Sequence, residues 1–485
     1  MLDDLILGWQ AMEEALPEYE KAEAYFKGTV DEVFASPRIR QAIAATGERY
    51  RFNLAKTPVT VLANRVELTA VTVPDDETAS GLIEEVWGAN NMDTYYPDLL
   101  LKAFEYGDSY LMAWPVDEDD PTTMEDDELY AAGVQLVVHS PLHVRVIYDP
   151  ENERRKLFAI KRWKLRIDGE TRWRVDLYYP DRIEQWMSRK GCEAGSADSW
   201  EPFLGDGEDP ESWILDNPYN EIPFFHHRNA LPYGIPEHKD GYGCQDAINK
   251  MLITQLTTTD SHGWPQRYAL TDQGAELDHN NDGPLWGDDA DADDTTSSTR
   301  IKAPSSGLSG GPGTMLELQG MKAVGQFAAA DPAVFTDPAQ LYIRLMAQVT
   351  ETPLHAFDPS GDTPSGESLK VAEAPLVKKA INRETMLKAP VQETWKFVLR
   401  ILGQPVPRID VRFAPAQAAT GKSDWEVVEL KQAVGVPKDQ TLIEAGYEAD
   451  VVEGWDLSTP TPPVVAAVPA AAVPVENPQM EAQDA

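Results

Sequence analysis

The stretch from Thr363 to Leu402 constrains this chain more than any other. Apolar side chains recur there at helical spacing, at Leu369, Leu376, Ala380, Leu387, Val391, Trp395, Val398 and Leu402. Lys378, Lys379, Arg383, Glu384, Lys388 and Lys396 fall between them, which predicts one apolar face and one solvated face. Thr363 can accept an orphaned backbone N–H as N-cap, and Pro364 suits the first helical position, where its missing N–H costs nothing. Gly403 ends the run. Pro375 and Pro390 each remove a donor and crowd the preceding turn, so a long helix with one or two kinks, or two helices in near line, is expected. A helix of about forty residues spans roughly 60 Å, longer than one globular layer requires. Ahead of it lies a turn-rich loop, Pro353-Leu354-His355-Ala356-Phe357-Asp358-Pro359-Ser360-Gly361-Asp362, which the helix would carry at its N-terminal tip.

Charge narrows the function. The 485 residues hold 81 acidic and 42 basic side chains, a formal net charge of −39, which repels nucleic acid and anionic membranes on average. Two cysteines, Cys192 and Cys244, give neither a disulfide framework nor a CxxC zinc spacing and fit a reducing compartment. The first residues are acidic where a secretory signal is basic, and no apolar run reaches the length of a membrane span, so a soluble protein is expected. The length suggests two to four domains.

Along the chain, helices are predicted for residues 3–33, with Pro17 as an interruption, and for 37–62. A strand follows at Val66–Val73, then helices at Thr78–Trp87 and at Asp93–Glu105, the latter capped by Asp93. From Ser109 the texture turns to β, with strands at 109–114, 134–139 and 143–148. A hairpin joins 156–167 to 170–179 across Asp168-Gly169, a strong two-residue turn signal. In it Trp163, Leu165 and Ile167 alternate with Arg162, Lys164 and Arg166, and Trp173, Val175 and Leu177 with Arg172, Arg174 and Asp176, suggesting one buried and one charged face. That basic surface admits a phosphate-binding reading, but no interleaved aromatics suggest base stacking, so a solvated face is the plainer one. A return strand is expected at 224–229. A threonine-rich helix follows at Asp240–His262, with a narrow apolar stripe through Ile248, Met251 and Leu252 and with Asp246, Asn249, Lys250 and Thr254 on its other side. Beyond a low-complexity acidic segment, 278–313, come short strands at 315–318 and 323–327, a helix at 337–350 and, after the long helix, a strand at 411–413 and two short helices. Residues 458–485 are Pro, Ala and Val with few charges and read as a disordered tail.

Enzyme signatures are missing: there is no GxxxxGK[ST], GxGxxG after a strand, HExxH or GxSxG. His226-His227 lack a supporting third ligand, and neighbours in a strand point to opposite faces. Asp278-His279-Asn280-Asn281-Asp282-Gly283, followed by Asp289, matches a calcium-loop pattern. Its last ligand is Asp in place of Glu, however, its flanks are not helical and Pro284 occupies a ligand position, so no metal is expected. Carboxylates scattered through an acidic chain would also permit a two-metal nuclease without raising it above background. No catalytic residue and no cofactor are assigned.

The order of parts is more specific than any single motif. Tyr106-Gly107-Asp108-Ser109-Tyr110-Leu111, the Asp149-Pro150-Glu151-Asn152 turn before the hairpin, Asn217–Pro223, Asp246-Ala247-Ile248-Asn249-Lys250, Pro312-Gly313-Thr314-Met315 and Thr363–Leu369 follow one another across residues 100 to 400. In this order the chain resembles the portal proteins, or head-to-tail connectors, of tailed double-stranded DNA bacteriophages. In particular it resembles the portal family of phages with long non-contractile tails, and its N-terminal helices look like those of actinobacteriophage portals. The resemblance implies an α+β, ring-forming portal fold with wing, stem, clip and crown and a long kinked helix. Residues 1–239 would be wing, 240–263 the first stem helix, 264–335 the clip, and 336–352 the second stem helix. The tunnel loop would be 353–362, the long wing helix 363–403, the crown 404–457, and the disordered tail 458–485. It further implies a dodecamer at one capsid vertex that conducts double-stranded DNA during packaging and ejection. His355, Phe357, Asp358, Ser360 and Asp362 would face the DNA, and Asp246, Asn249, Lys250 and Thr254 would lie on the stem helix. The implied partners are the terminase large subunit, a head–tail connector or adaptor, and the major capsid and scaffolding proteins, with no membrane. The implied location is the virion, after assembly in the host bacterial cytoplasm. The acidic balance suits a conduit, because each phosphate contact adds affinity and therefore drag on sliding DNA. The clip segment 278–313 is longer and more acidic than a compact clip requires. Two other classes remain: a metal-dependent nuclease or hydrolase, separable by chelator-sensitive DNA cleavage, and a capsid assembly protein without a channel, separable by the absence of rings.

Overall fold

The structure is a computed structural model that describes residues 2–30, 52–116, 127–167, 169–191, 195–204, 213–263, 267–271, 321–326, 333–357, 366–416, 423–444 and 452. Residues 37–51 of the helix expected over 37–62, the acidic segment 278–313, the strand at 315–318, Cys192, and Asp358, Ser360 and Asp362 lie outside those residues; within them the expected helix begins only at Lys56. The chain divides into two compact units, Met1–Ala416 and Gln417–Ala485.

In the first unit, helices α1 (Leu2–Lys27) and α2 (Lys56–Ala63) precede strand β1 (Leu68–Thr72), then helices α3 (Glu77–Ala89) and α4 (Met92–Tyr106). Strands follow as β2 (Asp108–Pro115), β3 (Val134–His139), β4 (Val144–Asp149), β5 (Asn152–Ile167), β6 (Glu170–Tyr178), β7 (Arg182–Ser188), β8 (Trp200–Pro202), β9 (Ile214–Asp216) and β10 (Phe224–Arg228), with the short helix α5 (Asp127–Ala132) between β2 and β3. The rest of the unit is helix α6 (Tyr242–Gly263), the β11 (Arg267–Thr271) and β12 (Met321–Gln326) pair, helix α7 (Ala333–Val349), helix α8 (Gly366–Ile401) and strand β13 (Asp410–Phe413). The second unit holds α9 (Ser423–Ala433) and α10 (Lys438–Glu444), joined by Gln432 Nε2 donating to Thr441 Oγ1 at 3.1 Å. The mixed helix and sheet content is the α+β class expected.

All strand pairs among the described residues are antiparallel. One sheet runs β10-β2-β3, a larger one runs β4-β5-β6-β7-β8 with β9 also on β7, and β13 pairs with β1. Because β13 closes on β1, residues 404–416 stay with the larger unit.

The main core packs α2, α3, α4 and β2 against α8, centred on Leu99, Phe104, Leu387, Trp395 and Val398. A second core lies under α1, where Leu5, Trp9 and Met12 cover Phe158, Ile160, Val175 and Leu177 of the larger sheet. α1 runs unbroken through Pro17, so the expected interruption is not there. Tyr19, Ala22 and Tyr25 beyond the proline are all buried, and Tyr19 donates to Asp108 at 2.6 Å, so tertiary anchoring outweighs the lost backbone bond. α4 starts a residue before Asp93, after Asn91 at φ +50°, and Asp93 accepts from the Trp87 indole at 2.7 Å in place of capping.

The β5–β6 hairpin corrects a second expectation. Its two-residue turn pairs Ile167 with Glu170, so Trp163 faces Arg174 and Lys164 faces Trp173. Directly paired residues share a sheet face, so each face mixes arginine or lysine with tryptophan. On the α1 side the Arg162 guanidinium lies 4.8 Å from the Trp9 ring and 5.4 Å from Trp173, buried and paired with Glu13. On the other side Arg174 stacks on Phe203 at 3.7 Å and pairs with Asp176 at 2.9 Å. Arg172 pairs with Glu201 and donates to the Ser188 carbonyl at 2.6 Å. Arg162, Arg172 and Arg174 are thus taken up in holding the sheet together, while Lys164 and Arg166 stay exposed.

Candidate functional site

The chain's candidate loop begins where α6 and α7 meet the start of α8. Ile248 from α6, Met346 and Ala347 from α7, Leu54 and Phe357 form one small core. Phe357 is 8% exposed and anchors the start of the loop in this core. α7 ends through Thr350, whose hydroxyl donates back to the Met346 carbonyl at 2.7 Å, and Glu351 turns the chain at φ +54°. A 3-10 turn, Leu354–Ala356, follows with Leu354 44% exposed. His355 lies on this turn, its Nε2 3.4 Å from Glu373 Oε1 on α8, and Arg65 donates to the other oxygen of Glu373 at 3.1 Å. Glu373 thereby ties the exposed turn to both α8 and the end of α2.

A buried charge cluster fixes the far side of the same junction. Glu237 accepts from Arg383 Nε at 2.5 Å and from Lys379 Nζ at 2.7 Å, and Asn229 Nδ2 donates to it at 2.7 Å. Lys379 also donates to the Thr350 carbonyl at 3.1 Å, so one ammonium joins the 229–238 segment, the end of α7 and α8. Burial alone would raise the Glu237 pKa, but the charge of Lys379 and the bonds from Arg383 and Lys379 hold it below the usual carboxylate range. Sequence pattern put Lys379 and Arg383 on the solvated face, yet Lys379 is 9% exposed. The signal was available: positions 376, 379, 383 and 387 share helical spacing, so both cations belong to the inward face. Glu237 itself carries no local signature.

The 229–238 segment is held by a close backbone approach. Gly107, at φ +90°, leaves room for a Cβ just 2.4 Å from the Ile235 nitrogen, so no side chain fits there. Gly234 N donates to Asp108 at 2.7 Å, and the same carboxylate accepts from Tyr19 and from His226 Nε2 at 2.7 Å. Tyr148 donates to His226 Nδ1 at 2.9 Å. Burial drives His226 toward the neutral form, and Asp108 stays below its usual range despite burial because of these partners. His227 points to the opposite face, next to Tyr96, and burial lowers its pKa to about 3. The two histidines therefore serve separate packing roles. Among the described residues no group of three His, Cys, Asp or Glu is arranged to hold a metal ion.

Two of the α6 residues singled out from sequence, Asp246 and Asn249, attach this helix to the N-terminal region, while Thr254 and Lys250 bond each other within it. Asp246 accepts from the Tyr25 hydroxyl at 2.9 Å, and the Tyr25 ring stacks on Tyr242 at 3.9 Å. Asn249 accepts from the Phe52 amide at 3.3 Å, and Thr254 donates to the Lys250 carbonyl at 2.8 Å. Gln245, which the sequence reading passed over, accepts from both the Leu54 and Ala55 amides at 2.8 and 2.9 Å. No helix among the described residues is long and apolar enough to cross a membrane.

The geometry is that of a protein scaffold: helices pinned by buried ion pairs to sheets, with an exposed turn at their junction. The family model described as phage portal protein, SPP1 Gp6-like, matches residues 9–416. The portal protein of Mycobacterium phage L5 is 22% identical over 415 residues, 81% of this chain and 76% of that protein. Among solved structures, a chain from the virion of the native gene transfer agent (GTA) particle aligns at 14% identity and a TM-score of 0.38, covering 85% of this chain and 99% of that one. Since the family match spans nearly all of the larger unit, the chain belongs to the SPP1 Gp6-like family of phage portal proteins.

Proposed function

We propose that the chain assembles into a closed dodecameric ring at one capsid vertex and there forms the channel for double-stranded DNA. The observation that carries this, beside family membership, is a stripe on α7 left uncovered within the protomer. Leu341, Leu345 and Val349, one turn apart, are 53%, 38% and 44% exposed, on the helix that leads into the 350–357 turn. Exposed apolar rows of this kind call for a partner, and a ring supplies one from the neighbouring copy. In this reading α6 and α7 are the stem, 264–335 the clip, 353–362 the tunnel loop, and α8 a strut of about 54 Å that sets the loop's position. Residues up to 239 with α8 and β13 form the wing, and the section after Ala416 the crown. His355 would lie along the DNA path, while Phe357 holds the loop from behind. The channel wall repels DNA through its negative charge and leaves it free to slide.

The ring would dock the terminase large subunit, whose ATPase supplies the energy, and then the head–tail connector, in a shell of capsid and scaffolding proteins. The protein would perform no catalysis of its own. Electron micrographs of the purified protein test the reading: closed rings with a central hole are expected, and monomers or dimers under all conditions overturn it. Deleting Ser360–Asp362 is expected to leave rings intact and impair DNA packaging or retention. Loss of rings would make those residues scaffold.

A further inference from the structure

The outward face of α8 is positive on a strongly negative protein. Val371 is 76% exposed and Ile381 43%, and Pro375, Lys378, Thr385 and Lys388 share that side of the helix at successive turns. Lys378 makes no ion pair among the described residues, and Lys388 lies one turn from the half-buried Glu384. In the same stretch of α8 Lys379 and Arg383 point inward to Glu237, and Arg400 near the helix end pairs with Glu221.

A face of opposite charge lies on α3. Glu77, Gly81, Glu84 and Gly88 are exposed along one side of that helix. A Cβ built at Gly81 or at Gly88 meets nothing within 4 Å, and neither glycine has a positive φ. Glycine weakens a helix relative to alanine, so two exposed helical glycines without any internal steric need are a cost the single protomer does not explain. Bare backbone at these places lets another helix approach closely. Within one protomer α3 meets α8 elsewhere, where Trp87 stacks on Trp395 at 6.0 Å.

We propose that the outward face of α8 docks on the Glu77–Gly88 face of α3 in a second copy of this chain, with Ile381 over the glycines and Lys378 and Lys388 facing Glu77 and Glu84. This rests on the ring reading and names the surfaces of one of its contacts. The contact is head-to-tail, different on each copy, the kind that closes into a ring when the rotation between copies permits. At a net charge of −39 the copies repel on average, so a local attraction of opposite charges selects this orientation over others. The lysines are ten residues apart, roughly 15 Å of helix, and the glutamates seven, roughly 10 Å, a difference their long stems span.

Sedimentation velocity and electron microscopy of the full chain test this. K378E/K388E is expected to raise the concentration needed for half-assembly by about tenfold or more. Gly81→Leu is expected to keep or raise the protomer's Tm, since leucine is the better helix former, while weakening rings; this separates docking from folding. Adding E77K/E84K to K378E/K388E in one chain is expected to restore rings. Rings that persist unchanged in K378E/K388E or in Gly81→Leu overturn the proposal and leave the ring reading standing. Failure of the charge swap to restore them removes α3 as the receiving face. Intact rings with weakened retention on duplex DNA reassign the α8 face to DNA. If the unmodified chain forms no rings, the ring reading itself falls, and the docking with it.

Discussion

Replacing Glu237 by glutamine tests the central claim about the junction. The substitution keeps the side chain's size and removes the charge that Lys379 and Arg383 approach at 2.7 and 2.5 Å. Lys379 is 9% exposed and would keep its ammonium opposite a neutral amide. Breaking a buried pair from one side costs about 3–5 kcal/mol, most of it the penalty of the stranded charge. Unfolding entropy of roughly 2.1 cal/mol/K per residue gives about 0.9 kcal/mol/K for the unit ending at Ala416, so Tm should fall by about 3–6 °C. The loss should be local first: amide exchange across 350–357 should quicken, since Lys379 holds the Thr350 carbonyl, while exchange in β5 and β6 stays unchanged. The pH dependence has a definite sign. The folded pKa of Glu237 lies below its unfolded value, so its stabilisation is complete above roughly pH 4.3 and is lost as pH falls through the folded value. The gap between the unmodified protein and E237Q should therefore close in acid. E237Q/K379M should regain at least half of the lost Tm, because the stranded ammonium is gone. A Tm within 1 °C of the parent, with unchanged exchange at 350–357, would refute the reasoning.

Other perturbations probe separate links. Phe357→Ala should cost about 3–5 kcal/mol by emptying the small core against Ile248 and Met346, whereas His355→Ala, on an exposed turn, should stay within about 0.5 kcal/mol; denaturant midpoints at constant m compare them. Gly107→Ala should be among the most damaging single changes, since its Cβ collides with Ile235 backbone and φ is +90°; poor soluble yield or a sharply lowered Tm is the readout. Glu105 is buried and lies near Glu23, which together raise its pKa to about 7. Because its folded pKa exceeds the unfolded one, the folded state loses relative stability as pH rises toward and through 7, so Glu105→Gln should raise Tm at pH 8 and leave it unchanged at pH 4.

The long helix shows where sequence suffices. Its apolar spacing and the stop at Gly403 were readable, and one helix, in place of two in near line, runs from Gly366 to Ile401 through Pro375 and Pro390, with Gly403 at φ +76°. The hairpin register was equally legible, because Asp168-Gly169 allows few alternatives to a two-residue turn. The faces of that hairpin were misread, since alternation along one strand says nothing of which residue lies opposite until the register is applied. These are short-range matters, decided by dihedral preferences and by the periods of helix and strand.

The buried charges are of another kind. Asp108 meets His226 across 118 residues, and Glu237 meets Arg383 across 146, separations at which no local pattern carries information. Whether Lys379 is a solvated charge or the joint between α7 and α8 depends on Glu237 arriving from a different part of the chain, because a cation can be buried only where a partner offsets its lost hydration. Phe357 is the same case: its loop reads as exposed from turn residues alone, and only the packing of α6 on α7 supplies the core that takes the ring in. The sequence by itself determined the longer helices, the hairpin, their order and the acidic balance, but not α5 or the short strands β7, β8 and β9, while tertiary packing decided which side chains become anchors, because desolvation is a property of the assembled neighbourhood and not of any segment.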